Sequence, residues 1–81
     1  MPLKLKVVSG EELVNAFKRL GFTVGSQKGS HIKLKRKLEN STQILVIPNH
    51  KTLARGTLLS IYRKALLYIS EETLKPIFYT E

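Results

Sequence analysis

Residues 28–37 read KGSHIKLKRK, and within Ser30–Lys37 the apolar Ile32 and Leu34 alternate with the polar residues around them. A period of two is typical of a β-strand with one buried and one exposed face. Ile32 and Leu34 take the buried face. The exposed face carries one histidine followed by three lysines, His31, Lys33, Lys35 and Lys37. The segment therefore predicts a central strand that displays a row of basic groups.

The segments on either side predict two further strands. Phe22–Val24 alternates briefly before a turn over Gly25–Ser30. Gln43–Ile47 is an aliphatic run that Pro48 ends, because proline cannot donate a hydrogen bond to a ladder. Three strands in succession predict an antiparallel meander.

Helices are predicted before and after this meander. Ser9–Glu12 has the pattern of a capping box, so a helix is expected to begin there and to stop at Gly21. A second helix is expected after Thr57 as its cap, because apolar residues follow with helical spacing. They are Leu58, Ile61, Tyr62, Ala65, Leu66 and Ile69. Ser70 predicts a cap for a last short turn before Pro76.

The predicted fold class is α+β, a three-stranded antiparallel sheet with two helices packed on one face. The helices must cover Ile32 and Leu34, since nothing else in the chain can bury that side of the sheet. The basic face is then left open. With 81 residues, the chain is expected to form a single domain over residues 1–81.

The charge balance favours a polyanionic partner. Fourteen Lys and Arg against six Glu give a formal net charge of +8, which attracts nucleic acid or an acidic protein. An anionic membrane fits less well, because the basic residues do not form one face of an amphipathic helix. The chain has neither a long apolar run nor a secretory signal at its start, so a cytoplasmic location is expected.

The composition also narrows the chemistry. Cysteine and aspartate are absent, which excludes thiolate chemistry and argues against a carboxylate cluster for a metal ion. No glycine-rich nucleotide loop is present, and no metal or cofactor is expected. No aromatic residue falls on the lysine face, which favours recognition of RNA backbone and shape over base stacking.

His31 is the candidate catalytic residue. It follows Lys28, Gly29 and Ser30, and the two small residues allow a substrate backbone to approach. An imidazole in this place could take a proton from a ribose 2′-hydroxyl, while the lysines neutralise charge on the phosphate oxygens. The alternative interpretation is a solvated histidine on a charged strand.

Two further basic residues are candidate phosphate contacts. His50 follows Pro48-Asn49 at a strand exit and is either a turn residue or a second proton donor or phosphate contact. Arg55 precedes Gly56-Thr57 and could meet a phosphate at a helix N-terminus. An exposed arginine in a loop is equally well explained by solvation.

Several short segments in combination resemble the HicA toxin family, also called YcfA-like mRNA interferases. These segments are Val8-Ser9-Gly10, Leu20-Gly21-Phe22, Gln27-Lys28-Gly29-Ser30-His31, Ile47-Pro48-Asn49-His50 and Arg55-Gly56-Thr57-Leu58. The resemblance spans Val7 to Ala65. The family often has glycine where Leu66 stands, so the second helix is expected to run longer, and the tail Lys75–Glu81 has no counterpart.

The resemblance implies an α-β-β-β-α fold similar to a double-stranded RNA-binding domain. It implies the toxin of a type II toxin-antitoxin system, a metal-independent endoribonuclease that acts on mRNA and is neutralised by a HicB-type antitoxin. The family's catalytic histidine falls on His31, its Gly-Ser pair on Gly29 and Ser30, and His50 matches a further family position.

Two other functions stay open on the sequence alone. One is a non-catalytic RNA-binding module that uses the same face, and the other is a basic subunit that docks an acidic protein. The orientation of the third strand also stays open, since either Ile44 and Val46 or Leu45 and Ile47 must point to the open face. Such an aliphatic patch is either a landing site for an antitoxin or a small shielded core.

Overall fold

The computed structural model describes residues 3–81, in which three helices and five strands follow the order β-α-β-β-β-α-α-β. Their bounds are β1 Lys4–Leu5, α1 Gly10–Arg19, β2 Thr23–Lys28, β3 His31–Lys37, β4 Thr42–Pro48, α2 Arg55–Ala65, α3 Glu71–Phe78 and β5 Tyr79–Thr80. The sheet β2-β3-β4 is antiparallel, and β1 pairs with β5 in a separate two-stranded sheet. The α+β class and the three-stranded meander are confirmed, with a third helix added.

The capping box at α1 is present as predicted. The Ser9 hydroxyl accepts from the Glu12 amide at 3.0 Å, and the Glu12 carboxylate accepts from the Ser9 amide at 2.9 Å. Gly21 follows the helix with φ +98°, a conformation that favours glycine. Local sequence therefore determines both ends of this helix.

Strand β2 is longer than the sequence predicted. Residues 25–28 belong to the strand and not to the turn, because a bulge between Val24 and Ser26 lets the ladder continue. Only Gly29 and Ser30 connect β2 to β3, with Gly29 at φ +59°. A two-residue hairpin places glycine at this position, because it needs a positive φ.

Helix α2 begins earlier and ends earlier than predicted. It starts at Arg55 after Ala54, which has no side-chain cap, so the expectation of Thr57 as the cap was wrong. It stops at Ala65, so the expected extension past Leu66 was also wrong. Tighter i→i−3 bonds from the amides of residues 67 and 68 close the helix and turn the chain back toward the core.

The C-terminal segment forms a helix and a strand where only a short turn was expected. Ser70 caps α3 as predicted, but α3 continues through Pro76 to Phe78. Proline removes one amide donor, and here its would-be acceptor lies in the exposed first turn of the helix. The Lys6 ammonium donates to the Pro76 carbonyl at 2.7 Å beside the β1-β5 pair.

One hydrophobic cluster joins the sheet to the helices. Ile32 and Leu34 are buried beneath the helices, which confirms the predicted covered face. The side chains with under 2% exposure are Phe17, Phe22, Phe78, Leu13, Leu34, Leu45, Ile47, Leu58 and Leu74. Leu74 and Phe78 show that α3 completes this core.

Arg36 belongs to the helix side of the sheet, although it stands within the basic run. Its guanidinium donates to the Gln43 side chain at 2.8 Å, to the Leu20 carbonyl at 2.9 Å and to the Tyr68 carbonyl at 3.3 Å. The guanidinium carbon lies 4.8 Å from the centre of the Phe22 ring. Arg36 thus joins β3 to the ends of α1 and α2.

Replacing Arg36 with methionine is expected to destabilise the fold by about 1–3 kcal/mol. The apolar stem is kept, but partly buried acceptors lose their donor. Urea unfolding measures the change, and Lys37→Met, at an exposed neighbour, is expected to stay within about 0.5 kcal/mol of the wild type. Equal effects of the two substitutions would contradict this role of Arg36.

Candidate nucleic-acid interface

The open face of the sheet carries the predicted basic row on β3. Its members are His31, Lys33, Lys35 and Lys37. His31 and Lys37 are exposed, while Lys33 and Lys35 are half-buried. Successive members lie about 6.6–6.8 Å apart along the strand, because every second residue faces the same way. The row therefore runs along the middle strand of the face that the helices leave open.

The hydrogen-bond pattern between β3 and β4 follows from the two ends of the ladder. The Asn49 amide donates to the Ser30 carbonyl at one end, and the Leu38 amide donates to the Ser41 carbonyl at the other. Antiparallel pairs alternate between bonded and non-bonded. The bonded pairs are thus Ile32–Ile47, Leu34–Leu45 and Arg36–Gln43.

The aliphatic side chains of β4 support the lysines. Lys33 lies opposite Val46 and Lys35 lies opposite Ile44, both in non-bonded pairs, where side chains approach most closely. The lysine stems can lie along these aliphatic groups while the ammonium groups reach water, which explains why the lysines are half-buried. Ile44 and Val46 therefore face the open side, which resolves the alternative that the sequence left.

The β2-β3 hairpin places His31 at the end of the row. Lys28 lies opposite His31 on one side and Pro48 lies opposite it on the other. A Cβ built at Gly29 would meet no atom within 4 Å, so the space beside the turn before His31 is open. The imidazole is exposed and lies under neither helix.

A loop ties this end of the sheet to α1. The His50 carbonyl accepts from the Gly10 amide at 2.9 Å, and the Leu53 amide donates to the Val8 carbonyl at 2.9 Å. Gly10 lies so close that a Cβ there would overlap the Pro48 carbonyl oxygen. His50 is exposed and stands two residues beyond the partner of His31, so the loop brings it to the same end of the sheet.

The structure unites most of the predicted site residues. Lys28, Gly29, Ser30, His31, Lys33, Lys35 and Lys37 lie on the hairpin and the open face, and His50 joins them through its loop. Arg55 is exposed at the first position of α2, and no hydrogen bond or ion pair within residues 3–81 links it to the row.

The charged side chains of this face are all basic. No glutamate is among the residues that β2, β3 and β4 contain, and the ion pair described within residues 3–81, Lys75–Glu71 at 4.0 Å, lies on α3. The lysines of the row are thus not neutralised by a carboxylate in the described chain. Across residues 3–81, no three His or Glu side chains come together as a candidate metal site.

A groove beside β4 was missed by the sequence reasoning. It holds about 350 Å³ and is lined by Ile44, Val46, Ser60, Ile61 and Lys64. Its two walls, β4 and α2, are separated along the chain by the loop before Arg55. The polar residues of α2 could have indicated that this side of the helix lines a groove. Only the packing of α2 beside β4 shows that Ser60 and Lys64 lie next to the sheet.

A family model described as the HicA toxin of bacterial toxin-antitoxin matches residues 10–67. The match contains α1, the three-stranded sheet and α2, and it leaves β1, α3 and β5 outside. No curated protein and no solved structure gives a significant match. Within residues 3–81, every helix is too short or too polar to cross a membrane.

Proposed function

Because this chain belongs to the HicA toxin family and is thus a toxin of a toxin-antitoxin system, we propose that it is a metal-independent endoribonuclease that cuts mRNA with His31 as the general base. The observation that carries this proposal is an exposed imidazole at the end of a lysine row free of carboxylates. The described residues, 3–81, act as one domain in the cytoplasm. A HicB-type antitoxin neutralises the protein, as in type II systems.

The lysine row binds the RNA backbone. Lys33, Lys35 and Lys37 present ammonium groups at regular intervals, and Lys28 adds one across the hairpin. Each contact to a phosphate releases counterions, so the affinity depends on charge and little on sequence. The row thereby aligns one strand of RNA with His31 at its end.

Cleavage requires one proton transfer from the ribose. His31 takes the proton of a 2′-hydroxyl, and the 2′-oxygen forms a bond to the adjacent phosphorus as the bond to the 5′-oxygen breaks. The departing 5′-oxygen takes up a proton from solvent. The products are a 2′,3′-cyclic phosphate end and a 5′-hydroxyl end.

The groups around His31 support this step. Gly29 and Ser30 keep the turn small, so that the backbone of the substrate can reach the imidazole. Lys28 and Lys33 stabilise the charge that grows on the phosphate oxygens during attack. His50 contacts a neighbouring phosphate from its loop, and Arg55 contacts the RNA backbone farther along.

Cleavage of RNA by the purified protein in the presence of a metal chelator tests the proposal. Product ends with a cyclic phosphate support the mechanism with a 2′-hydroxyl nucleophile. RNA that stays intact in both the presence and the absence of metal ions would contradict the proposed activity.

The lysine row also predicts a particular salt dependence of RNA binding. Lys33→Gln and Lys35→Gln are each expected to lower the slope of log affinity against log salt by about 0.7 on single-stranded RNA, since each removes one phosphate contact. Fluorescence anisotropy over a range of salt concentrations measures the slope. Lys18→Gln, on the helix side at the end of α1, should leave the slope unchanged, and an equal loss there would refute the assignment of the row.

One observation favours a second candidate, the non-catalytic RNA-binding module. No hydrogen bond within residues 3–81 orients the His31 imidazole, whereas a general base is often held by a partner group. This candidate predicts the same salt-sensitive binding with intact RNA after long incubation. If the protein does not retard RNA even at low salt, docking of an acidic protein becomes the favoured function.

A further inference from the structure

The outer edge of β4 presents backbone groups that nothing in the described chain occupies. Gln43, Leu45 and Ile47 direct their amides and carbonyls toward β3, because they belong to the bonded pairs of the β3-β4 ladder. The amides and carbonyls of Ile44 and Val46 therefore point away from β3. Within residues 3–81, no hydrogen bond reaches these outward groups.

Between residues 42 and 47 this edge has no charge, no proline and no bulge, three features that often protect edge strands. Its pairing with β3 runs from His31–Pro48 to Lys37–Thr42 with no shift of register, and residues 42–47 carry no charge. The opposite edge strand, β2, has a bulge near Gly25 and ends in Lys28. An uncharged, aliphatic edge in continuous register is a template for another strand.

Helix α2 forms the second wall of a groove along this edge. Ser60 and Lys64 of α2 line it together with Ile44 and Val46, over about 350 Å³. Val46 keeps 48% of its surface exposed. A sheet edge beside a helix is an arrangement in which proteins receive an extended peptide, which adds a strand to the sheet.

The charges around the groove select the occupant. Lys64 lies on its outer wall, and Lys33 and Lys35 rise from the strand beyond Val46 and Ile44. A second copy of this chain would bring another +8 charge to the same place. RNA lacks the alternating amides and carbonyls that would pair with the outward groups of Ile44 and Val46.

We propose that a partner protein docks by adding an extended acidic strand to the outer edge of β4, in the groove between β4 and α2. The added strand would bond to the outward groups of Ile44 and Val46, and its carboxylates would pair with Lys64, Lys33 and Lys35. The proposal rests on the proposed function in one respect, namely that the antitoxin supplies the strand. Docking would then occupy Lys33 and Lys35, which would no longer be free to bind RNA, and would prevent cleavage beside His31.

The test uses the full chain and a synthetic peptide of alternating glutamate and valine. Hydrogen exchange is followed by NMR, and binding is expected to slow the exchange of the Ile44 and Val46 amides at least tenfold. A peptide with the same side chains, N-methylated along one edge, should bind at least tenfold more weakly, because it cannot complete the ladder. Equal binding of the two peptides, or no binding at millimolar concentration, would overturn the proposal.

A pair of charge reversals gives a matched control. Lys64→Glu should weaken binding of the peptide several-fold. Lys51→Glu, in an exposed loop away from the groove, should leave the binding unchanged. Equal weakening by both reversals would mean that the peptide is attracted only by the net charge of the protein. That result would overturn the groove as the binding site. Protection of the same two amides by an RNA oligonucleotide, and not by the peptide, would assign the groove to the substrate.

RNA cleavage by the same preparation separates the two proposals. A protein that cleaves RNA but does not bind the peptide overturns strand addition alone. A protein that binds the peptide at these amides but leaves RNA intact overturns the ribonuclease activity alone.

Discussion

Replacement of His31 by alanine is expected to lower RNA cleavage by about 10²–10⁴-fold, the usual contribution of a general base. The imidazole is exposed and makes no hydrogen bond within residues 3–81. The substitution should therefore change the free energy of unfolding by about 0.5 kcal/mol at most. RNA binding should persist, because the lysine row is untouched.

Three measurements on His31→Ala check this expectation: cleavage of RNA with a chelator present, RNA retardation on a gel, and growth of cells after induced expression. His50→Ala is the matched control, since it removes the other histidine of the chain from the same end of the sheet. Its RNA cleavage is expected to stay within about tenfold of the wild-type level, because the substitution removes only one phosphate contact. Undiminished cleavage by His31→Ala would sink the assignment of the general base.

Replacement of Gly10 by alanine is expected to destabilise the fold by about 1–3 kcal/mol or more, as for other overpacked sites. The added methyl group would overlap the Pro48 carbonyl oxygen, which is backbone and cannot rotate away. The bond from the Gly10 amide to the His50 carbonyl would also be strained. Since Pro48 lies opposite His31, the same displacement would disturb the proposed catalytic end of the sheet.

Gly56→Ala is the matched control for this substitution. Gly56 also lies in a helix, and a Cβ there would meet no atom within 4 Å. The control is therefore expected to be neutral or to stabilise the fold by up to about 1 kcal/mol, because alanine favours the helix. Thermal unfolding reports each change as about 4–8 °C per kcal/mol. If Gly10→Ala unfolds at the same temperature as the wild type, the loop can move to accept the methyl group without loss of stability, and the prediction is wrong.

Local patterns made much of the candidate site predictable. The alternation in residues 30–37 placed His31 and the lysines on one face and Ile32 and Leu34 on the other, because a strand turns successive side chains to opposite sides. The capping box defined the start of α1 through bonds between residues three apart. The roles of these residues in binding and cleavage stay predictions.

Other features carried no readable local signal. Residues 44–47 are all aliphatic. The sequence therefore does not show which of these side chains are buried and which face the open side of the sheet. Arg36 stands in a basic run, and no local pattern shows that carbonyls from two helix ends accept hydrogen bonds from its guanidinium. The turn before β3 proved shorter because a bulge extends β2, and a bulge depends on its partner strand.

By itself the sequence determined the three-stranded meander, the first helix and the basic row, because hydrogen bonds and periodicities among near neighbours encode them. Only the tertiary structure decided that Ile44 and Val46 face outward, that α2 lies beside β4, and that β5 returns to pair with β1. These arrangements join residues far apart in the chain. They depend on how the whole core packs, and no single segment contains that information.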